Sequence, residues 1–380
     1  GANPPFFLNV NAMRKLIHLI AGARPNFMKI APIVRALREQ ADSFEFRIIH
    51  TGQHYDREMS DVFFEELGIP APDHHMEAGG GTHAQQTARI MLAYEEIVLR
   101  ERPDCTLVVG DVNSTVACSL VAKKLQLPVA HVEAGLRSGD LRMPEEINRL
   151  VTDSISDWLF VTEPAGQENL LREGKPADRI FFVGHVMVDN LFYQVDLLRD
   201  ADLDRLESSA IKAKRPRYGV VTLHRPSNVD DAQVLRGIMG ALASVAADLP
   251  LVFPVHPRTR ANIERHGIQV PSQIELTAPL SYMDFLNLWK DAALVMTDSG
   301  GLQEETTALG VPCLTIRENT ERPVTVSEGT NTLVGTAPEA IVAAARQVLA
   351  SGGKVGQRPM FWDGRSAQRI VAELARQLGC

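Results

Sequence analysis

Short runs of β-branched and aliphatic residues alternate along this chain with longer stretches in which apolar positions return every three or four residues. From residue 16 the order is strand at 16–21, amphipathic helix at 27–40, strand at 46–51 and helix at 57–67. It continues with a helix at 84–100, a strand at 106–110, a helix at 114–124, a strand at 129–133, a helix at 145–156 and strands at 159–161 and 180–183. Strands that are apolar throughout, separated by helices, belong to a parallel sheet covered on both faces. One doubly wound domain therefore accounts for residues 13–184.

The pattern loosens over 195–216, where Asp196, Arg199, Asp200, Asp202, Asp204 and Arg205 precede a basic run at 212–217, as expected of a solvated helix and linker. A second series follows, with strands at 219–223, 251–255, 274–276, 293–296 and 312–316. The chain reads as an α/β protein of two Rossmann-like, doubly wound parallel-sheet domains, 13–184 and 185–365, facing each other across a cleft. The last helix, 366–378, carries Ile370, Val371, Leu374 and Leu378 on one stripe and is expected to pack back on the first domain. Open parallel sheets bind ligands at the carboxyl ends of their strands, so the cleft is where a site is expected.

A length of 380 residues suits two domains. The net charge of -8 excludes a protein that works by coating nucleic acid or an anionic membrane, and leaves room for cations gathered locally around a small anion. Cys105, Cys118, Cys313 and Cys380 lack the paired spacing of a zinc site or disulfide framework and read as reduced thiols of a cytoplasmic protein. Residues 1–12 lack the basic and long apolar regions of a signal peptide and read as a vector remnant or frayed leader before Met13. No apolar run approaches the ~20 residues of a bilayer span.

The strand at 293–296 runs into Thr297-Asp298-Ser299-Gly300-Gly301 and then a helix. Gly300 and Gly301 let backbone amides approach an anion, Ser299 is placed to cap the helix, and the helix N-terminus adds partial positive charge. A diphosphate suits that combination, although a plain glycine turn with a capped helix has the same sequence. Gln303, Glu304 and Glu305 follow inside the helix, where a carboxylate either accepts hydrogen bonds from both hydroxyls of a ribose or makes a structural salt bridge.

In the first domain, residues 22–29 follow the first strand without a GxGxxG fingerprint, which argues against a dinucleotide, while Arg24 and Lys29 offer two cations to a pyrophosphate. Asp111 and Glu133 end successive strands and Glu145 opens the next helix. On one rim they would supply the acid and base that move a proton at carbon, provided burial and mutual repulsion raise at least one pKa. Each alone reads equally as a helix cap or surface acid. In the second domain His224, Arg225 and His256 stand at consecutive strand ends as substrate contacts. His74 and His75 lie in a loop beside Gly79-Gly80-Gly81 and read as non-functional. No element carries two histidines at ligand spacing, so neither metal nor cofactor is expected.

Taken in order, Gly22-Ala23-Arg24-Pro25 with Lys29, Gly110-Asp111, the 131–137 segment, Pro144-Glu145-Glu146 with Asn148-Arg149, His224-Arg225, Pro254-Val255-His256, the 297–305 segment and Glu321-Arg322-Pro323 resemble the non-hydrolysing UDP-N-acetylglucosamine 2-epimerase family. The fold of that family is similar to GT-B glycosyltransferases, and the resemblance spans about residues 14–335. It implies that a base removes the C2 proton while UDP leaves C1, that a 2-acetamidoglucal forms, and that UDP re-adds after reprotonation on the other face. By resemblance, Asp111, Glu133, Glu145 and His224 are catalytic, Arg24 and Lys29 stand at the phosphates, and Ser299, Gly300, Gly301, Glu304 and Arg322 hold UDP. A homodimer without cofactor, making precursors of cell-surface polysaccharide, is also implied.

Three positions depart from the family's pattern. Asn26 stands where many members have Glu, and members acting on UDP-2,3-diacetamido uronic acids resemble this chain more closely there. Gln53 and His54 match an effector-binding motif of some bacterial members, but the residues after them differ; His185 follows Gly184 where Asn is usual. Three other readings compete. A hydrolysing relative releasing N-acetylmannosamine and UDP has a different first loop. A glycosyltransferase needs an acceptor site, for which no docking stretch is visible. A non-catalytic UDP-sugar sensor would have lost the acids that are all present here.

Overall fold

The computed structural model describes residues 14–52 and 61–380. The segments at 1–13 and 53–60, which include Gln53 and His54, lie outside the described residues. The chain divides into two compact units, one comprising residues up to Asn190 together with Arg365–Cys380, the other Leu191–Gly364. The changeover falls later than a boundary at 184 because the helix Val186–Asp200 runs unbroken through it. Apolar periodicity marks a helix but not the residue at which its packing partner changes.

In the first unit β1 (Lys15–Ala21), β2 (Phe44–His50), β3 (His74–His75), β4 (Cys105–Val109), β5 (Val129–Val132), β6 (Trp158–Val161) and β7 (Ile180–Phe182) form one sheet in the order β3-β2-β1-β4-β5-β6-β7. All pairings are parallel. His74 and His75 are therefore an edge strand paired with Ile49 and His50, not a loop, and a strand so short and polar has no alternation to read. One face of the sheet packs on helix Arg24–Glu39 and the final helix Ser366–Leu378, the other on helices His83–Arg100 and Asn113–Lys124. Burial on both faces is why β4 shows no alternation of buried and exposed positions.

The second unit repeats the plan with β8 (Gly219–Thr222), β9 (Leu251–Pro254), β10 (Ile274–Thr277), β11 (Leu294–Thr297), β12 (Cys313–Thr315) and β13 (Asn331–Leu333), in the order β10-β9-β8-β11-β12-β13. Strand β13 has no sequence signal of its own; its buried Asn331 bonds to the Thr315 hydroxyl at 2.6 Å. In the charged segment read as a solvated helix and linker, Asp196, Arg199, Asp200, Asp202, Asp204 and Arg205 are exposed as expected, while its later part forms helix Glu207–Ala213, where Lys212 reaches Asp291 at 2.5 Å and the Asn287 carbonyl at 3.1 Å. Those contacts dock this short helix.

Each sheet grows in one direction and then restarts beside its first strand, which creates a switch point between β1 and β4 and another between β8 and β11. Helices leaving the two adjoining strands go to opposite faces, and a crevice opens at the carboxyl ends. Arg24 follows β1 and Asp111 follows β4, while His224 follows β8 and Asp298 follows β11. Among the described residues no helix is long and apolar enough to cross a membrane.

Two buried histidines of the first sheet make its stability depend on pH. His18 places Nδ1 3.2 Å from the Tyr94 hydroxyl, and His50 packs edge-on against Phe27. Burial, then the nearby His74 and Arg47, depresses His18 to about 3; burial, then His75, depresses His50 to about 4. Both folded values lie below the ordinary 6.5, so below that pH the unfolded chain takes up protons that the folded chain refuses. Stability is expected to be full above about pH 6.5 and to fall toward pH 4, by at most about 1.4 kcal/mol per pH unit for each histidine. Urea midpoints measured across that window check this, with a shallower fall expected in His18→Gln.

Candidate active site

At the first switch point, the turn after β1 is tied to the end of β4 by Asn26. Its Oδ1 accepts from the amides of Gly22 at 3.2 Å and Ala23 at 2.9 Å, and its Nδ2 donates to the Val109 carbonyl at 3.4 Å. Asn26 is buried, so this position shapes the turn. One helical turn on, Lys29 forms an ion pair with Glu133, whose side chain is 4% exposed. The pair meets over Gly110: a Cβ there, at φ +69°, would sit 3.1 Å from Lys29 Nζ and 3.6 Å from the Glu133 carboxylate.

Glu133 itself has φ 70°, a left-handed conformation that residues with side chains seldom adopt and that recurs at functional sites. His185 places Nδ1 3.9 Å from the Glu133 carboxylate, which brings this departure from the family's pattern into the acid's surroundings. No motif spacing could have revealed that contact, because β7 meets β5 only through β6.

The neighbouring acids divide by helical periodicity. Asp111 contacts Arg149 at 2.5 Å, and Arg149 also holds Glu146 through Nε at 2.9 Å and Nη2 at 2.6 Å. Burial opposes the charge on Glu146, but the Ser138 and Gly139 amides and Arg149 keep its pKa below the usual carboxylate value. Glu145, one position earlier in helix Pro144–Ile155, is exposed and makes no hydrogen bond or ion pair among the described residues. Glu146 is committed to the scaffold and Glu145 is available to a ligand.

Beneath them lies a fully buried pair. His131 sets Nδ1 2.6 Å from Asp153 and Nε2 2.8 Å from the Gly110 carbonyl, so both ring nitrogens face oxygen. The other Asp153 oxygen accepts from the Gly135 amide at 3.0 Å and from Arg137 at 2.8 Å. Burial works against the Asp153 charge, yet His131 and Arg137 hold its pKa low. One carboxylate thereby joins the β4 end, the β5 end and helix Pro144–Ile155, the three segments that bear Asp111, Glu133 and Glu145. Arg24 stands apart, exposed, with its guanidinium 5.0 Å over the Phe63 ring.

At the second switch point the organising group is Asp298, which has no exposed surface. It accepts from the His224 amide at 3.1 Å, the Arg225 amide at 3.0 Å and Asn228 Nδ2 at 3.2 Å, and lies 3.0 Å from His224 Nδ1. Arg225 Nε donates to its backbone carbonyl at 3.0 Å. Ser299 occupies the N-cap of helix Gly300–Leu309, but its side chain makes no capping bond, contrary to expectation. Asp298 takes the loop donors instead, and the Ser299 amide turns back to Thr297 Oγ1 at 2.9 Å. A Cβ at Gly300 or Gly301 would meet nothing within 4 Å, so internal packing does not require these glycines and the helix N-terminus stays open to an approaching ligand.

Inside that helix Gln303 bonds to the Ser299 carbonyl at 3.0 Å and receives Thr320 at 2.7 Å. Glu304 forms an ion pair with Arg322, which joins two of the residues expected to hold UDP. Glu305 receives the Tyr282 hydroxyl at 3.0 Å; burial lifts its pKa to about 7, with the Tyr282 bond opposing and Glu304 reinforcing the rise. His256 caps helix Pro257–Arg265, its Nδ1 accepting from the Arg258 amide at 3.2 Å, and shares a pocket of about 220 Å³ with His224, Pro254, Leu280 and Phe285. Among the described residues no cluster of His, Cys, Asp and Glu is arranged to hold a metal ion.

A family model described as UDP-N-acetylglucosamine 2-epimerase matches residues 35–375. The UDP-N-acetylglucosamine 2-epimerase of Methanocaldococcus jannaschii is 40% identical over 93% of this chain and 97% of its own. The UDP-2,3-diacetamido-2,3-dideoxy-D-glucuronate 2-epimerase of Pseudomonas aeruginosa is 42% identical over 94% of this chain and 98% of its own. Among solved structures, the M. jannaschii UDP-GlcNAc 2-epimerase in complex with UDP-GlcNAc and UDP is similar with TM-score 0.81 and 39% identity, covering 95% of this chain and 99% of that one. The Neisseria meningitidis enzyme bound to UDP-GlcNAc gives TM-score 0.83 and 28% identity, covering 95% and 100%.

Removing the Asp153 carboxylate leaves His131 and Arg137 facing a buried void. Asp153→Ala is therefore expected to lower stability by about 3–5 kcal/mol, measured by urea unfolding, while an exposed control such as Glu96→Ala stays within about 0.5 kcal/mol.

Proposed function

The chain belongs to the UDP-N-acetylglucosamine 2-epimerase family, and we propose that it inverts C2 of UDP-N-acetylglucosamine to give UDP-N-acetylmannosamine by eliminating and re-adding UDP. The observation that carries the mechanism is the grouping at the first switch point. Glu133 is buried against Lys29, Asp111 follows Gly110 beneath that pair, and Glu145 stands unpaired nearby in sequence on its own helix. A carbon acid as weak as C2–H needs a carboxylate shielded from water, and return of the proton to the other face needs a second group. Asp111, Glu133 and Glu145 supply these groups.

Departure of UDP from C1 places growing negative charge on the diphosphate. The open N-terminus of helix Gly300–Leu309, with Ser299, Gly300 and Gly301, receives a phosphate through backbone amides. Arg225, His256 and Arg322, the last steadied by Glu304, complete the nucleotide grip on the second unit, and His224 exchanges a proton or hydrogen bond at the leaving group. Lys29 and Arg24 are the cations of the first unit. The three buried, unpaired thiols Cys105, Cys118 and Cys313 suit a reducing cytoplasm. A homodimer belongs to the proposal, supported by Leu92 and Leu99 exposed on helix His83–Arg100.

A second substrate deserves a direct test because the P. aeruginosa relative, named for a UDP-2,3-diacetamido uronic acid, is as similar to this chain as the M. jannaschii one. Asn26 does not decide between them, since its oxygen is spent on the Gly22 and Ala23 amides.

An NMR time course in deuterated buffer, run with each nucleotide sugar, separates the outcomes. Deuterium is expected to enter C2 of both epimers without accumulation of UDP; free sugar and UDP rising together would mean hydrolysis. Glu133→Gln is expected to lower kcat about 10²–10⁴-fold, with UDP affinity by calorimetry changed less than about threefold.

A further inference from the structure

We infer that Asp298 is a positioning residue for His224, holding the neutral ring in the tautomer that carries its proton on Nδ1 and presents Nε2 as the working nitrogen. The inference rests on the catalytic role proposed for His224. The two carboxylate oxygens divide their partners. Oδ2 receives the Arg225 amide at 3.0 Å, Asn228 Nδ2 at 3.2 Å and the His224 amide at 3.1 Å, which is sufficient to hold the loop after β8. Oδ1 shares the His224 amide at 3.2 Å and lies 3.0 Å from His224 Nδ1.

A carboxylate only accepts hydrogen bonds, so a ring held with Nδ1 3.0 Å from it is favoured with the proton on Nδ1. Nε2, on the far side of the ring, is left for the ligand, and the side chain is 49% exposed beside the pocket lined by Pro254, Leu280 and Phe285. Asp298 stays charged to do this: burial opposes its ionisation, but the His224 and Arg225 bonds hold its pKa below the usual value.

The same pocket contains an internal contrast. His256 Nδ1 accepts from the Arg258 amide, which fixes the opposite tautomer, with the proton of the neutral ring on Nε2. Two histidines on one pocket are thus set to opposite polarity, one by a carboxylate and one by a backbone amide. Only His224 is left with an Nε2 that can take a proton from solvent; the imidazolium so formed donates that proton to the departing diphosphate and recovers it as UDP re-adds, returning to the Nδ1–H ring.

Long-range proton–nitrogen spectra of the ¹⁵N-labelled full chain test this, with His224 assigned from His224→Gln. The neutral wild-type ring is expected to be Nδ1–H for His224 and Nε2–H for His256. In Asp298→Asn the amide oxygen takes the place of Oδ2 and the NH₂ group faces Nδ1, so His224 is expected to switch to Nε2–H. That variant should lose about 10²–10⁴-fold in kcat with KM changed less than about fivefold, the consequence of a wrong tautomer. Joined to His224→Gln it should lose no more than His224→Gln alone, whereas a carboxylate that merely supports the loop would give additive losses. An Nε2–H ring in the wild type, or additive losses, overturns the proposal. The wild-type spectrum decides the tautomer even if Asp298→Asn fails to fold. Full activity in His224→Gln would overturn the role of His224 in the reaction, which the tautomer reads separately.

Discussion

A carboxylate without water around it survives as an anion only when donors replace that water, and both units of this protein are organised by that requirement. Asp153 in the first unit and Asp298 in the second have no exposed surface. Each sits where parallel strands end and loops carry amides that no ladder satisfies. Asp153 gathers His131, Arg137 and the Gly135 amide; Asp298 gathers two loop amides, Asn228 and the His224 ring. The desolvation that makes these anions costly is also what makes their partners hard to move. The loops at the strand ends are tied to these two carboxylates.

On that frame the acids proposed to react share their cations with the scaffold. Arg149 is committed to Glu146 and Asp111, while Lys29 is committed to Glu133, so no cation of the acid cluster is idle in the free protein. Glu145 and Glu146 show how one helix separates two roles: adjacent residues differ by about 100° around the axis, so one carboxylate faces the core loop and its neighbour faces solvent. Glu133 bears a left-handed backbone, a cost of about 1–3 kcal/mol that the Lys29 pair and the surrounding packing offset. In the second unit the open glycines of helix Gly300–Leu309 leave room for a ligand, and the stiffness comes from residues behind them, Gln303 and the Glu304–Arg322 pair.

Much of this was legible in the chain as a linear text. Alternating apolar runs and amphipathic stretches determined two parallel α/β units, because strands buried on both faces are mostly apolar and parallel neighbours are joined by helical crossovers. The order of motifs determined the family, and with it the set of residues to inspect. Their positions at strand ends followed from the same alternation. Left undecided were elements too short or polar to carry a period, such as β3 and β13, and the residue within helix Val186–Asp200 at which one unit gives way to the other.

Tertiary structure alone decided what each site residue does with its polar atoms. Asn26, noted in the sequence only as a departure from the family's pattern, is a clamp between two strand ends; Ser299 looked like a cap and is not bonded as one; His256 caps a helix, and Glu304 holds Arg322. Asp298 was visible only as part of a glycine-rich segment, and its hold on His224 depends on β8 and β11 lying side by side across a sequence separation of 74 residues. The physical reason is general: periodicity along a chain reports which face of an element is buried, whereas a hydrogen bond is a relation between two elements, and only the sheet order brings its two ends together.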